Sequence, residues 1–238
     1  MSLYRDEAIV IRTYKLGEAD RIVVLFTKAR GKVRTVAKGV RKTTSRFGSR
    51  LEPTSHVALQ LYEGRELDTI TQAETIDHFR AIREDLDRFA HASAMLESVD
   101  WIVQEREPNP RLYTMLLGAL RTLAAHDHPL VVPAFFWKLL ALEGLAPMVE
   151  ACVVCGSDVA LVAFDLEEGG ILCTAHRKGT ALSGDAVAIL QLILSGRLGA
   201  ALALPPSAAA VEIEHLATRA MEHHLERRLR SVGVLDRG

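Results

Sequence analysis

The chain has 238 residues, 49% of them hydrophobic and 25% charged, with a formal net charge of −1. That composition belongs to a folded globular protein of one or two domains and excludes intrinsic disorder, which goes with low hydrophobicity and high net charge. The longest apolar run, Leu130 to Trp137, ends at Lys138, and a membrane-spanning helix needs roughly 20 apolar residues. The charged first residues lack the apolar segment of a secretory signal, and three cysteines are too few for a disulfide framework. The expectation is therefore a cytoplasmic protein.

The small net charge hides an asymmetry. Residues 1–80 carry 15 Lys and Arg against 10 Asp and Glu, and the remainder carries 14 against 20. Between Lys28 and Arg50 stand nine basic residues (Lys28, Arg30, Lys32, Arg34, Lys38, Arg41, Lys42, Arg46 and Arg50) and no acidic one. Such a stretch repels itself, so it points to a polyanionic partner; the plainer alternative is a solvated face.

The first eighty residues read as five short strands. Ile9–Ile11 and Ile22–Phe26 are apolar runs. Val33, Thr35 and Ala37 alternate with Lys32 and Arg34, the period of a strand with one basic face. Val57, Leu59 and Leu61 form a fourth run, and Leu67 to Thr71 a fifth. No connection is long enough for a crossover helix, so a small barrel is expected: an OB-fold, with an SH3-like barrel fitting the strand count nearly as well. The long connection from Gly39 to Ser55 holds four of the basic residues and Phe47.

From about Asp77 the pattern turns helical. A first helical region extends to Glu105. A second helix is capped by Asn109 with Pro110 at its first position. The third starts near Val131 and is apolar nearly all round, including Phe135, Phe136 and Trp137, which marks a buried helix. Gly144 and Pro147 stop it. Ser183 and Ser207 read as N-caps of two later helices, the last running to about Arg230. The fold class expected is α+β: an OB-fold domain over 1–78, a helical domain over 79–149 and 180–238, and a small zinc-finger insertion over 150–179.

That insertion carries the most specific motif. Cys152, Cys155, Cys173 and His176 read C-x2-C-x17-C-x2-H, the spacing of a four-ligand structural zinc site. Two tight turns, joined by a hairpin through Val159, Leu161, Ala163 and Ile171 with Gly169-Gly170 at its bend, would complete a tetrahedron. Asp158 and Asp165 are nearby substitutes should His176 point away. A redox C-x-x-C would need a βαβ setting that is absent. There is no phosphate-binding P-loop, no G-x-G-x-x-G after a strand, no H-E-x-x-H and no G-x-S-x-G, so no catalytic constellation is found and no enzyme is expected.

Several segments together resemble a known family. Gly17-Glu-Ala-Asp-Arg-Ile-Val-Val-Leu-Phe-Thr27, the run from Gly31 to Lys42, Ser45-Arg-Phe-Gly48, Leu51-Glu-Pro53 and Leu61-Tyr-Glu-Gly-Arg65 occur in the order found in bacterial RecO recombination mediators. Gly144 to Pro147 ahead of the cysteines, and Leu225 to Ser231 at the end, are similar too. One departure is His176, where many zinc-bearing members carry a fourth cysteine. The resemblance implies binding of single- and double-stranded DNA and annealing of complementary strands. It also implies partnership with RecR and with the C-terminal tail of single-stranded-DNA-binding protein, in loading RecA. Neither a membrane nor a nucleotide cofactor is expected.

On this reading Lys32, Arg34, Lys38, Arg41, Lys42, Arg46 and Arg50 contact phosphates. Phe47 either stacks on a base or plugs the barrel end. A groove beside Phe135 to Trp137, with Lys138 or Arg121 for a carboxylate, is a candidate for the acidic tail.

Overall fold

The computed structural model describes residues 2–42, 45, 47–126 and 128–231. The alternating segments near the N-terminus form strands β1 (Leu3–Leu16), β2 (Asp20–Thr27), β3 (Gly31–Ala37), β4 (His56–Tyr62) and β5 (Asp68–Asp77). They close into a barrel in the order β1-β2-β3-β5-β4. All pairings are antiparallel except β3 with β5, which run parallel through Thr35–Asp68 and Val36–Thr69. This five-stranded Greek-key closure is the OB-fold, which decides between the two barrels the strand count allowed. The outer strands are longer than their apolar runs. β1 pairs with β4 over Leu3–Ile9 and with β2 over Ala8–Leu16, so backbone pairing on two edges extends it past its buried middle.

Strand parity builds the barrel core. Ala8 and Val10, Val23 and Leu25, Val57, Leu59 and Leu61, and Ile70 turn inward. Phe47 and Leu51, from the connection after β3, close one end of that cluster; Phe47 is 2% exposed. Of its two expected roles the ring takes the plug, because burying a phenyl group stabilises the fold by about 1.5–3 kcal/mol.

The chain separates into two compact units: residues up to Ala125 together with Arg230 and Ser231, and His126–Leu229. In the first unit the barrel is joined by α1 (Arg80–Arg83), α2 (Leu86–Ile102) and α3 (Pro110–Ala125). The helical region is interrupted at Asp85, whose carboxylate accepts the Arg88 N–H and caps α2. Asn109 caps α3 as expected, taking the Leu112 N–H at 3.0 Å. The connector between α2 and α3 lies against β3, with the Arg106 N–H on the Lys32 carbonyl. Gly31 permits this approach: a Cβ there would lie 1.9 Å from the Glu107 carbonyl oxygen, and its φ is +68°. Asp68, wholly buried, accepts hydrogen bonds from Tyr4, the Gly64 N–H and Arg106. Burial opposes its ionisation, yet these donors hold the carboxyl below its usual range.

His56 gives the first unit a pH dependence. Its ring is buried, Nε2 lies 3.0 Å from the Tyr113 hydroxyl, and Nδ1 has no protein partner among the described residues. Burial, the largest influence, holds the imidazole below its ordinary range. The unfolded chain therefore takes up a proton that the folded barrel refuses. This contribution is complete above about pH 6.5 and is lost as pH falls below it, by at most about 1.4 kcal/mol per pH unit. From about pH 7.5 to about 5.5 the melting temperature should fall further in the wild type than in His56→Gln. Parallel curves would remove His56 as the cause.

The second unit contains α4 (Val131–Leu142), strands β6 (Leu161–Asp165), β7 (Gly170–Cys173) and β8 (Thr180–Ala181), then α5 (Gly184–Leu194), α6 (Leu198–Leu202) and α7 (Ala208–Leu225). α4 is buried as its all-round apolarity requires: Phe135, Phe136 and Trp137 are at most 3% exposed, and Trp137 packs on Phe164 of β6 with ring centroids 5.4 Å apart. Ser183 and Ser207 cap α5 and α7 through the Ala186 and Ala210 N–H groups. The last helix ends at Leu225, short of the expected Arg230. Glu226 turns left-handed (φ +52°), and the chain bends so that Leu229 is buried. Among the described residues no helix is long and apolar enough to cross a membrane.

Candidate metal centre and nucleic-acid interface

The ligand atoms of Cys152, Cys155, Cys173 and His176 all lie within 4.8 Å of one another. Local backbone explains why. The Cys152 N–H bonds the Ser157 carbonyl, and the Gly156 N–H returns to the Cys152 carbonyl, closing a tight turn at Gly156 (φ +73°). The Val153 N–H bonds the Ile171 carbonyl, stitching this turn to β7. Gly170 leaves room for that contact, since a Cβ there would come within 2.4 Å of the Met148 carbonyl oxygen. After β7 a single 3-10 turn, Thr174–His176, brings the imidazole back.

The spacing of the donors fits a tetrahedral ion. Zn–S bonds of about 2.3 Å and Zn–N bonds of about 2.0–2.1 Å put sulfurs about 3.8 Å apart and sulfur about 3.5 Å from nitrogen. Cys155 Sγ lies 3.8 Å from Cys173 Sγ; His176 Nδ1 lies 3.4 Å from Cys173 Sγ and 3.8 Å from Cys152 Sγ. His176 therefore points inward, and neither acidic substitute is needed. Asp165 instead accepts the Glu167 and Glu168 N–H groups in the hairpin bend. Val159, expected on the hairpin, falls outside β6 and is 67% exposed.

Two of the four donors, Cys152 and Cys173, are shifted toward the thiolate. At Cys152 desolvation opposes the thiolate, but the backbone N–H groups of Cys173, Cys155 and Val154 overcome it, and the thiol is pulled down to about 6. The His176 hydrogen bond lowers the Cys173 thiol and raises the imidazole in return. At Cys155 the Ser157 backbone draws the thiol down, while desolvation and the thiols of Cys152 and Cys173 push it up overall. Thiolates are the species that bind metal. A tetrahedral ion held by all four donors would have no open coordination position, as in sites that cross-link the chain rather than bind substrate.

The basic residues are dispersed by the barrel. On β3, Val33, Thr35 and Ala37 face inward, and Lys32 and Arg34 face out. Lys32 is drawn into the fold: its ammonium donates to the Asp100 carbonyl at 2.6 Å and lies 3.5 Å from the Asp100 carboxylate, which also binds Arg12. Arg34 is exposed, with Glu105 at 3.9 Å. Lys38 lies just beyond the end of β3, in a turn with Arg41 and Lys42, and all three are exposed. Asp20 accepts the Gly39 N–H at 2.7 Å, and the Arg41 N–H bonds the Ala19 carbonyl. These bonds hold the turn beside the β1–β2 hairpin, where Arg41 also reaches the Gly17 carbonyl at 3.2 Å. Arg50 is half-buried and donates to the Phe47 carbonyl. Arg46 lies outside the described residues. The anchoring acids, Asp20 and Asp100, were not legible as site residues: both lie outside the basic run in sequence, and only their hydrogen bonds reveal the role.

An OB barrel with a cationic turn at its β1–β2 end, followed by helices and a Cys3His cluster, matches known proteins along its whole length. Residues 1–79 match the family described as Recombination protein O N terminal, and residues 83–232 match Recombination protein O C terminal. The chain belongs to the RecO family. It is 47% identical over 246 residues to a DNA repair protein RecO of Nocardioides sp., covering 99% of this chain and all of that protein. It is 42% identical to one from Frankia casuarinae and 41% to one from Thermobifida fusca, each match covering both chains completely. The family assignment agrees with the resemblance seen in the sequence. Arg121, on α3, and Lys138, on α4, the two cations considered for an acidic tail, belong to different compact units of this RecO chain.

Proposed function

We propose that this chain is a DNA repair and recombination mediator. It binds single- and double-stranded DNA through its OB barrel, anneals complementary strands and, with RecR, helps load RecA onto DNA coated by single-stranded-DNA-binding protein. The observation that carries this reading is the exposed turn of Lys38, Arg41 and Lys42, held by Asp20 and Ala19 beside the β1–β2 hairpin. OB-folds bind oligonucleotides through the face of their second and third strands and the loop after the first. Arg34 on β3 continues the cationic surface toward that face.

These cations neutralise phosphates without reading bases, so the affinity is independent of sequence and falls with salt. Annealing follows from the same surface. Two strands repel through their phosphates, and a protein that holds one strand and screens both lowers that barrier. No covalent bond changes, so no nucleotide is consumed. Zinc is the ion that suits the three cysteines and His176, and there it supplies a cross-link that stabilises the β6–β7 hairpin.

The test is annealing of complementary oligonucleotides, one of them labelled, by purified metal-loaded protein without ATP. Acceleration over the protein-free rate is expected. A folded protein that gave none, and that bound RNA or an acidic protein in preference, would be an OB-fold adaptor instead.

A further inference from the structure

The first unit carries a cleft of about 530 Å3 used by neither the metal cluster nor the basic turn. Its size lies within the range of ligand-binding sites. One wall is β1, where a bulge between Val10 and Arg12 shifts the register before Arg12 and Tyr14. The other is α2, with Phe89 and Trp101, and Arg230 lines the same cleft.

Among the described residues three Phe, Tyr or Trp side chains are exposed, and two of them line this cleft: Tyr14 at 45% and Trp101 at 42%. Grouped exposure of this kind marks a binding surface. Arg12 is fixed between them. Its Cζ lies 5.8 Å from the Tyr14 ring centroid and 6.0 Å from that of Trp101, and its guanidinium donates to the Tyr14 hydroxyl and pairs with Asp100. The cleft's carboxylate, Glu97, is engaged by the Arg230 N–H and by the N–H and hydroxyl of Ser231, at 2.8–3.2 Å. With Arg12 paired, what the cleft presents at the surface is the two aromatic rings and the exposed Arg230. A polyanion with flat π faces complements it, and a single-stranded nucleic acid has both properties, whereas a duplex hides its base faces.

We propose that this cleft stacks bases of single-stranded DNA, with Trp101 and Tyr14 as the platform, Arg12 holding Tyr14 in place and Arg230 beside the phosphates. The inference rests on the DNA-binding reading above and adds to it a second contact region, selective for single strands.

The experiment titrates the full chain with a labelled oligothymidylate and, separately, with a labelled blunt duplex, following anisotropy, and repeats both titrations with Trp101→Ala and Trp101→Phe. Loss of one stacking contact should weaken single-strand binding roughly tenfold in Trp101→Ala. Duplex binding should stay unchanged, which also reports that the variant is folded, and Trp101→Phe should recover most of the single-strand affinity. In the wild type, unlabelled oligothymidylate should quench tryptophan fluorescence, and the quench should vanish in Trp101→Phe, because the other tryptophan, Trp137, is 1% exposed. Equal losses on both DNAs would overturn the proposal. So would unchanged affinity without quenching while anisotropy still reports binding; the DNA-binding reading would then stand and the cleft would be left to a peptide. A wild type that bound neither DNA at low salt would overturn both.

Discussion

Cys173→Ser is expected to release the metal and open the β6–β7 hairpin while the OB barrel stays folded. The apolar cluster around the cysteines is small, made of Cys152, Ala163, Leu172 and Cys173 with Val153 and Leu161 at its edge. A core of that size supplies little stability by itself, whereas a structural zinc site contributes apparent binding energies of about 10–16 kcal/mol in small peptides. Losing one of four donors removes much of that contribution. It also leaves two cysteines and His176 without the ion that their arrangement suits. Metal content per chain should fall well below that of the wild type, and amide exchange over 148–176 should speed up by orders of magnitude, with barrel amides unchanged. A metal-free variant that kept full protection there would show that the hairpin does not depend on the ion.

Reversing three charges on the barrel, Arg34→Glu, Lys38→Glu and Arg41→Glu, should have the largest effect on DNA. For single strands each neutralised phosphate contributes about 0.7 to the slope of log affinity against log salt. Four exposed cations, counting Lys42, give a slope of about −3; removing three should flatten it by about 2. At about 0.1 M salt the same loss lowers affinity on the order of 100-fold. Lys32→Ala serves as the contrast, because that ammonium is already held by Asp100, and its slope should stay close to that of the wild type. A slope indifferent to the triple reversal, or one flattened as strongly by Lys32→Ala, would move the DNA contact elsewhere.

Local patterns and close-spaced motifs were legible in the sequence. Alternation marked the inward residues of β3, Asn109, Ser183 and Ser207 announced their helices, and the apolar circumference of α4 announced its burial. The Cys3His spacing pointed to the four candidate donors, since each pair sits on a single tight turn, but left Asp158 and Asp165 as alternatives to His176 until the structure turned the imidazole inward. All of these depend on interactions between near neighbours, so composition and period suffice to express them.

Other features depended on which distant residues met. Barrel type was undecided until β3 paired in parallel with β5, because strand count does not encode strand order. The basic run looked uniform, yet tertiary contacts divided it: Asp100 took Lys32 into the fold, Asp20 fixed the turn that leaves Lys38, Arg41 and Lys42 in water, and the barrel core claimed Phe47. The aromatic cleft was invisible as well, since Tyr14 and Trp101 are far apart in the chain and their joint exposure arises only where β1 meets α2. The sequence by itself determined the period of most elements, the three cysteines of the metal cluster and the family. The tertiary structure decided which cations remain available to a ligand, because burial and ion pairing depend on neighbours that chain order does not specify.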